Sequence, residues 1–228
     1  MLLPKSLPND DKLQIAASCH SHQEIGGDFY DVIRVSDDEF YICLADVSGK
    51  GISVAILMAS FQTSLRSNVQ KVRALEDIIV DLNDRVWSNA QGERFITMFL
   101  AHYNASTREL KYVNSAHPPP HLLNNGKLVK LIDGFVGLGM FEEFPTLNIG
   151  SVTLKGDAIM IAYTDGLTEL ENEAGGVPFD EAALDRLFQD QSVYTISGLN
   201  VRIFEALDKH RGSMEFHDDV ALVSCRFL

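Results

Sequence analysis

Apolar residues along the chain follow two rhythms, and the changes of rhythm divide it into blocks. Leu13–Cys19, Asp28–Val35 and Glu39–Ala45 carry short apolar or alternating runs, which predict strands. Ser36-Asp37-Asp38 reads as a hairpin turn between the last two. From Gly51 the period lengthens: Ile52, Ala55, Ile56, Ala59, Leu65 and Val69 recur at helical spacing. A second helix is predicted over Ala74–Asn89, with Leu75, Ile78, Ile79, Leu82 and Val86 on one face. Strand rhythm returns at Phe95–Tyr103, Leu110–Asn114, His121–Leu123 and Leu128–Ile132, with Asn124-Asn125-Gly126 as a turn signal between the last pair. Asp157–Tyr163 reads as a buried strand, Asp180–Gln189 and Thr195–His210 as helices, and Val220–Phe227 as a closing strand.

Helices therefore do not alternate one-for-one with strands, which argues against a doubly wound parallel sheet. The order predicts an α+β fold of layered, mostly antiparallel sheets. No repeat, low-complexity tract or linker-like stretch interrupts it. Residues 1–228 read as a single domain, with 1–12 an irregular N-terminal arm.

Composition narrows the partners. Hydrophobic residues make up 46% of the 228, enough for a sizeable core. A net charge of −13 disfavours nucleic acid or an anionic membrane, because phosphate contacts need clustered Lys and Arg. Cys19, Cys43 and Cys225 are odd in number and far apart, which fits reduced thiols better than a disulfide or zinc site. The apolar runs fall short of the ~20 residues of a membrane span. Met1-Leu2-Leu3 gives way at once to Pro4 and Lys5, unlike a signal peptide. The expectation is a soluble cytoplasmic protein.

The candidate chemistry lies in short acids at strand edges. Asp46 ends the run Phe40–Ala45 and precedes a turn holding Gly49 and Gly51; Asp165 follows Ile159–Tyr163 and precedes Gly166. Asp218 and Asp219 stand before the last strand, and Asp28 follows Gly26-Gly27. Singly, each reads as a turn aspartate. Together, converging carboxylates repel one another and lose hydration, and no Lys or Arg is obviously supplied as countercharge. All-oxygen donors without a His or Cys cluster suit Mg²⁺ or Mn²⁺. Two rival motifs fail. Ser48-Gly49-Lys50-Gly51 lacks the glycine spacing of a phosphate-binding loop and the Ser or Thr after Lys50. Gly26-Gly27-Asp28-Phe29-Tyr30 superficially resembles the cyclic-dinucleotide synthase signature, but Phe29 stands where a second acid is needed.

Five motifs in order complete the picture: Glu24-Ile25-Gly26-Gly27-Asp28-Phe29-Tyr30-Asp31, Ala45-Asp46-Val47-Ser48-Gly49-Lys50-Gly51, Asn114-Ser115-Ala116-His117-Pro118-Pro119, Tyr163-Thr164-Asp165-Gly166-Leu167-Thr168-Glu169 and Asp218-Asp219-Val220-Ala221-Leu222-Val223. They resemble the SpoIIE-like branch of the PPM-type metal-dependent protein serine/threonine phosphatases, over nearly the whole chain. The resemblance implies an α-β-β-α sandwich with two divalent cations, Mn²⁺ or Mg²⁺, at one end of the paired sheets. It implies that Asp46 bridges both ions and that the Val47 carbonyl binds one. Asp165 and Asp218 would complete the second ion, with Asp219 the alternative to Asp218. Asp28 would hold water ligands or an ion directly, supported by Asp31. Asp28, Asp46 and Asp165 are then the catalytic acids. A water shared by two cations loses a proton near neutral pH and attacks phosphorus in line, so no Cys or Ser nucleophile is expected.

Ser48 occupies the place where related eukaryotic enzymes carry a proposed proton-donating His, so the leaving-group acid is unassigned. His117 is a candidate by motif but reads better as a turn residue beside Pro118-Pro119-Pro120, and Ala116 stands where the family usually has Gly. His20 and His22 read as packed or solvated, and Trp87 as packing between the second helix and a sheet. The implied substrate is a phosphorylated protein, such as a small anti-sigma-factor antagonist of a partner-switching pathway, and the resemblance also allows a homodimer. The two helical pairs and the loops Gly134–Pro145 and Asn172–Phe179 are candidate docking surfaces. A degenerate module that binds a partner without turnover is the alternative; the presence of every expected metal aspartate favours the enzyme.

Overall fold

The computed structural model describes residues 3–22, 26–71, 74–143, 146–173, 175–189 and 195–228. The elements run β1 (Leu13–His20), β2 (Asp28–Arg34), β3 (Glu39–Val47), α1 (Ile52–Val69), α2 (Leu75–Ala90), β4 (Ile96–Asn104), β5 (Glu109–Ser115), β6 (His121–Asn124) and β7 (Lys127–Lys130). They continue as β8 (Gly134–Phe135), β9 (Gly150–Thr153), β10 (Ala158–Tyr163), α3 (Asp165–Thr168), α4 (Glu181–Gln189), α5 (Ile196–Arg211) and β11 (Val220–Phe227). The strands form two sheets. One has the order β1-β11-β10-β6-β7; the other has the order β2-β3-β4-β5-β8, with β9 also paired to β5. Every pairing is antiparallel except β5 with β8.

Three apolar clusters hold the layers together. Alternate residues of both sheets, among them Tyr30, Leu44, Phe99, Met160, Val223 and Phe227, interdigitate between the sheets. The opposite face of the second sheet packs Phe29, Cys43 and Leu100 against α1 and α2 through Phe61, Leu65, Ile78 and Leu82. The outer face of the first sheet packs Ile161, Tyr163 and Leu222 against α4 and α5 through Leu184, Phe188 and Ile203. The result is the α-β-β-α sandwich that the resemblance implies.

Connections follow local chemistry. The β2–β3 hairpin turns at Ser36-Asp37-Asp38, where the Val35 N–H donates to the Glu39 carbonyl at 3.0 Å. Between β6 and β7, Asn125 and Gly126 have φ of 51° and 73°, the two positive values of the primed hairpin turn that Asn-Gly favours. In the first sheet the first and last strands lie side by side, with Leu13 opposite Phe227 and His20 opposite Val220.

The structure departs from the sequence reading in four places. β3 runs through Asp46 to Val47, so Asp46 lies inside the strand rather than after it. The sequence reading did not find β8 and β9, because such short segments carry too little side-chain pattern to read; β5 supplies their pairing. Asp165 opens the single turn α3 instead of a loop. Trp87 is half-buried and lies against Gly92 just beyond its own helix, not between helix and sheet. Among the described residues no helix is long and apolar enough to cross a membrane.

The inter-sheet cluster should dominate stability. Phe99, fully buried there, should lose about 3–5 kcal/mol on Phe99→Ala. Ile56→Ala, at a position 66% exposed on α1, should change it by no more than about 0.5 kcal/mol. Urea unfolding of the two variants checks this; equal costs would refute the assignment of the core.

Candidate functional site

Strand alternation delivers polar side chains to one end of the sandwich. In β2 and β3 the even-numbered Tyr30, Val32, Ile42 and Leu44 face the inter-sheet core. Asp28 and Asp46 continue the same inward rows where the apolar residues stop. In β4 the odd-numbered Phe99, Ala101 and Tyr103 face inward, and Thr97 continues them. Register aligns these ends: Asp28 pairs with Asp46, and Asp46 with Thr97. From the other sheet Ala158, Met160 and Ala162 lead to Thr164, while Ala221, Val223 and Cys225 lead back to Asp219. Side chains directly opposite in a sheet lie about 4.5–5.5 Å apart at Cβ, a spacing that destabilises like charges.

Each acid is held differently. The Thr164 hydroxyl donates to Asp28 Oδ2 at 2.6 Å. Asp219 accepts the backbone N–H of His22 at Oδ1 and of Gly27 at Oδ2, both at 2.7 Å. Asp218 Oδ1 accepts the N–H of Asp219 at 2.9 Å. A side chain on Gly27 would come within 2.8 Å of Asp46 Oδ1 and 2.9 Å of the Val47 carbonyl, so only glycine lets this backbone lie against them. Asp46, Val47, Asp218 and Asp219 line a small pocket of about 100 Å³ together with His22, Gly27, Gly49 and Lys50. Asp28 and Asp165 do not line it but act on it electrostatically.

Burial, reinforced by repulsion from Asp165, Asp218 and Asp219, pushes the Asp46 carboxyl up to about 7. Burial pushes Asp28 up to about 8; the Thr164 hydroxyl opposes the shift, and Asp46, Asp219 and Asp165 add to it. Burial and then Asp218 raise Asp165. Among the described residues no Lys or Arg pairs with any of these acids. Also among the described residues, no three carboxylate, imidazole or thiol side chains close into a formed metal-ligand group. The aspartates and the Val47 carbonyl give the pocket an anionic oxygen donor set short of countercharge, and such a set fits hard divalent cations.

The adjacent pair Asp218-Asp219 divides its work. Both oxygens of Asp219 are engaged by backbone N–H groups across the chain, whereas Asp218 bears on both Asp46 and Asp165. Asp31 does not join the site. It is three residues from Asp28, hence on the opposite face of β2, where its fully buried carboxylate accepts both Nε and Nη2 of Arg66 at 2.7 and 2.8 Å. His117 is buried, its N–H donates to Asn114 Oδ1 at 2.8 Å and its Nδ1 meets Thr97 Oγ1 at 3.0 Å. Burial lowers its pKa to about 3, so it holds no spare proton near neutral pH. Ala116 before it has φ of 52°, the left-handed region that glycine enters at less cost. His20 packs against Phe204, the rings tilted by 42° with centroids 4.5 Å apart. Glu24 and Ile25, which begin the first motif, lie outside the described residues.

The sequence reading passed over three contributors. Thr164 and Thr97 look like ordinary strand threonines, though extending the inward parity of β10 and β4 would have found them. Arg94 donates from Nη1 to the Ser48 carbonyl at 2.9 Å, while the Ser48 hydroxyl accepts the Phe95 N–H at 2.9 Å. These two contacts brace the turn after Asp46, and only the pairing of β3 with β4 reveals them.

The family model described as Stage II sporulation protein E (SpoIIE) matches residues 36–228. The chain is 26% identical over 227 residues to the phosphoserine phosphatase RsbU of Bacillus subtilis, covering 99% of this chain and 66% of that protein. It spans between 39% and 66% of the length of the curated relatives it matches. The structure of the PP2C phosphatase domain of SpoIIE from Bacillus subtilis, with a fragment of its regulatory domain, superposes with a TM-score of 0.79 at 14% identity, covering 95% of this chain and 63% of that one. RsbX crystallised with magnesium superposes with a TM-score of 0.73 at 16% identity, covering 98% and 99% of the two chains.

Two measurements check the site's electrostatics and strain. Asp28 and Asp46 take up protons on folding because their pKa values rise from the ordinary 3.8. Their contribution to stability is therefore full below about pH 4 and is lost as pH climbs through about 7 to 8. The melting temperature of the metal-free protein should fall across that window, and saturating Mn²⁺ should shrink the fall; a flat metal-free profile would contradict it. Ala116→Gly should stabilise by about 0.5–1 kcal/mol in denaturant unfolding, through relief of the positive φ. A loss of stability would place the strain elsewhere.

Proposed function

The chain belongs to the SpoIIE family, and from that premise we propose that it is a metal-dependent protein phosphatase, its residues 1–228 acting as one domain. The substrate is phosphoserine or phosphothreonine on a partner protein, a reading supported by the phosphoserine phosphatases RsbU and RsbP among its relatives; the partner class that the family resemblance implies is a small anti-sigma-factor antagonist in the cytoplasm. One observation carries the reading. The inward rows of two separate sheets end in aspartates that share one pocket, repel one another and have no basic partner among the described residues.

Asp46, the Val47 carbonyl, Asp165 and Asp218 are the groups that would hold two divalent cations, Mn²⁺ or Mg²⁺, with Asp28 contributing directly or through water. Bound there, such ions would offset charge on phosphoryl oxygens and bring the pKa of a water toward neutrality. Asp219 keeps the backbone of His22 and Gly27 against the pocket wall. Arg94 and Ser48 keep the turn after Asp46 in place.

The thiols and His117 are poorly suited to forming a phosphoenzyme. Burial pushes the Cys19 thiol up to about 12, and Cys43 and Cys225 are buried and raised as well. His117 is neutral and engaged with Thr97. Water is then the attacking group, and Lys50 at the pocket rim is the cation available to meet an incoming phosphate.

Hydrolysis of p-nitrophenyl phosphate tests the reading. Turnover should require added Mn²⁺ or Mg²⁺, and Asp46→Asn should lower it by at least the ~10–100-fold typical of outer-shell changes around a metal. Activity without added metal, or undiminished in the variant, would refute the site. Manganese-dependent thermal stabilisation without turnover would make the chain a binding module instead.

A further inference from the structure

We propose that Thr164 is a positioning residue, whose hydroxyl orients the Asp28 carboxylate and so ties a metal-holding group of one sheet to those of the other. The inference deepens the phosphatase reading and rests on it. Thr164 is fully buried and stands one step beyond Ala162 on the inward row of β10. Its Oγ1 accepts the Ala221 N–H at 2.8 Å, and its own N–H donates to the Ala221 carbonyl at 3.1 Å. An amide N–H can only donate, so Oγ1 is the acceptor in that contact, and its proton is free for the ionised Asp28 carboxylate, which can only accept. The contact to Asp28 Oδ2 is 2.6 Å, and it becomes charge-assisted when bound cations keep that carboxyl ionised.

Three consequences follow from these contacts. The Ala221 N–H holds the hydroxyl oxygen in place, so the group that meets Asp28 is anchored by backbone. The bond engages Oδ2 and leaves Oδ1 without a hydrogen-bond donor among the described residues. It also crosses the sandwich: Asp28 belongs to the second sheet, while Thr164 immediately precedes Asp165 and is bonded two residues beyond Asp219 in the first. Among the described residues Thr164 is the one hydrogen-bond donor to the Asp28 side chain. Without it, the Asp28 side chain would have no hydrogen-bond donor among the described residues to hold its orientation.

A merely structural role would lower stability and leave ion affinity alone, so the deciding measurement is calorimetric titration of Mn²⁺ into the whole chain. Thr164→Val should weaken binding by about 10–100-fold, the usual cost of an outer-shell partner, while Thr164→Ser should stay within a few-fold of the parent. If Thr164 acts through Asp28, the double variant Asp28→Asn/Thr164→Val should bind no more weakly than Asp28→Asn. Parent-like affinity in Thr164→Val, or strictly additive losses in the pair, would overturn the proposal. Should Thr164→Val fail to fold because the Ala221 N–H loses its acceptor, Thr164→Cys keeps the volume with a weak donor, and unchanged affinity there would overturn it equally. A parent chain that binds no Mn²⁺ would overturn this proposal and the phosphatase reading together. A parent that binds Mn²⁺ without turnover, with the Thr164→Val loss intact, would remove the phosphatase reading and leave Thr164 its role.

Discussion

Repulsion among buried aspartates is the constraint around which one end of this sandwich is built. Asp28 and Asp46 are placed side by side by the β2–β3 register, and the acids of the first sheet face them across the gap. Packing, not attraction, brings them together: the inter-sheet cluster closes behind them and fixes how far apart the two sheets can stand. The pocket is thus a place where the fold opposes itself locally, tolerable because the apolar layers elsewhere are extensive. Countercharge from outside the chain is the simplest relief, and the carboxylate and carbonyl oxygens suit a hard cation in that place.

Supporting contacts keep that opposition from dissolving into disorder. Asp219 is converted from a charge in search of a partner into a clamp on the backbone of His22 and Gly27. Arg94 spends its guanidinium on a carbonyl of the Ser48 turn rather than on a carboxylate. On the far face of β2, Asp31 meets Arg66 of α1 in a bidentate pair, which joins the strand that starts with Asp28 to the helix that follows the pocket loop.

Much of this was legible in the sequence because the relevant signals are local. Short apolar or alternating runs located β1 to β7, β10 and β11, and helical spacing located α1, α2, α4 and α5 to within a few residues. The candidate acids stood out because aspartate is uncommon at the edge of strands as apolar as Phe40–Ala45 and Ile159–Tyr163. What escaped is what pairing creates. β8 and β9 exist through the edge of β5, and Thr164 and Arg94 matter through residues more than forty positions away in sequence. Asp31 shows the reverse failure. Proximity to Asp28 along the chain suggested a shared role, while strand parity had already sent it to the helical layer.

The pairing of β1 with β11 has a consequence for tethering. Leu13 and Phe227 are partners at one pole, His20 and Val220 at the other, and Asp219 belongs to the second. The Leu228 N–H even returns to the Lys12 carbonyl at 3.0 Å. A polypeptide grafted beyond either strand would leave the molecule roughly 25 Å, the length of an eight-residue strand, from the carboxylates. Such a graft can reach the pocket only by wrapping around the sandwich, whereas a short splice between the two neighbouring ends would yield a circular permutant whose chemistry-bearing pole is undisturbed.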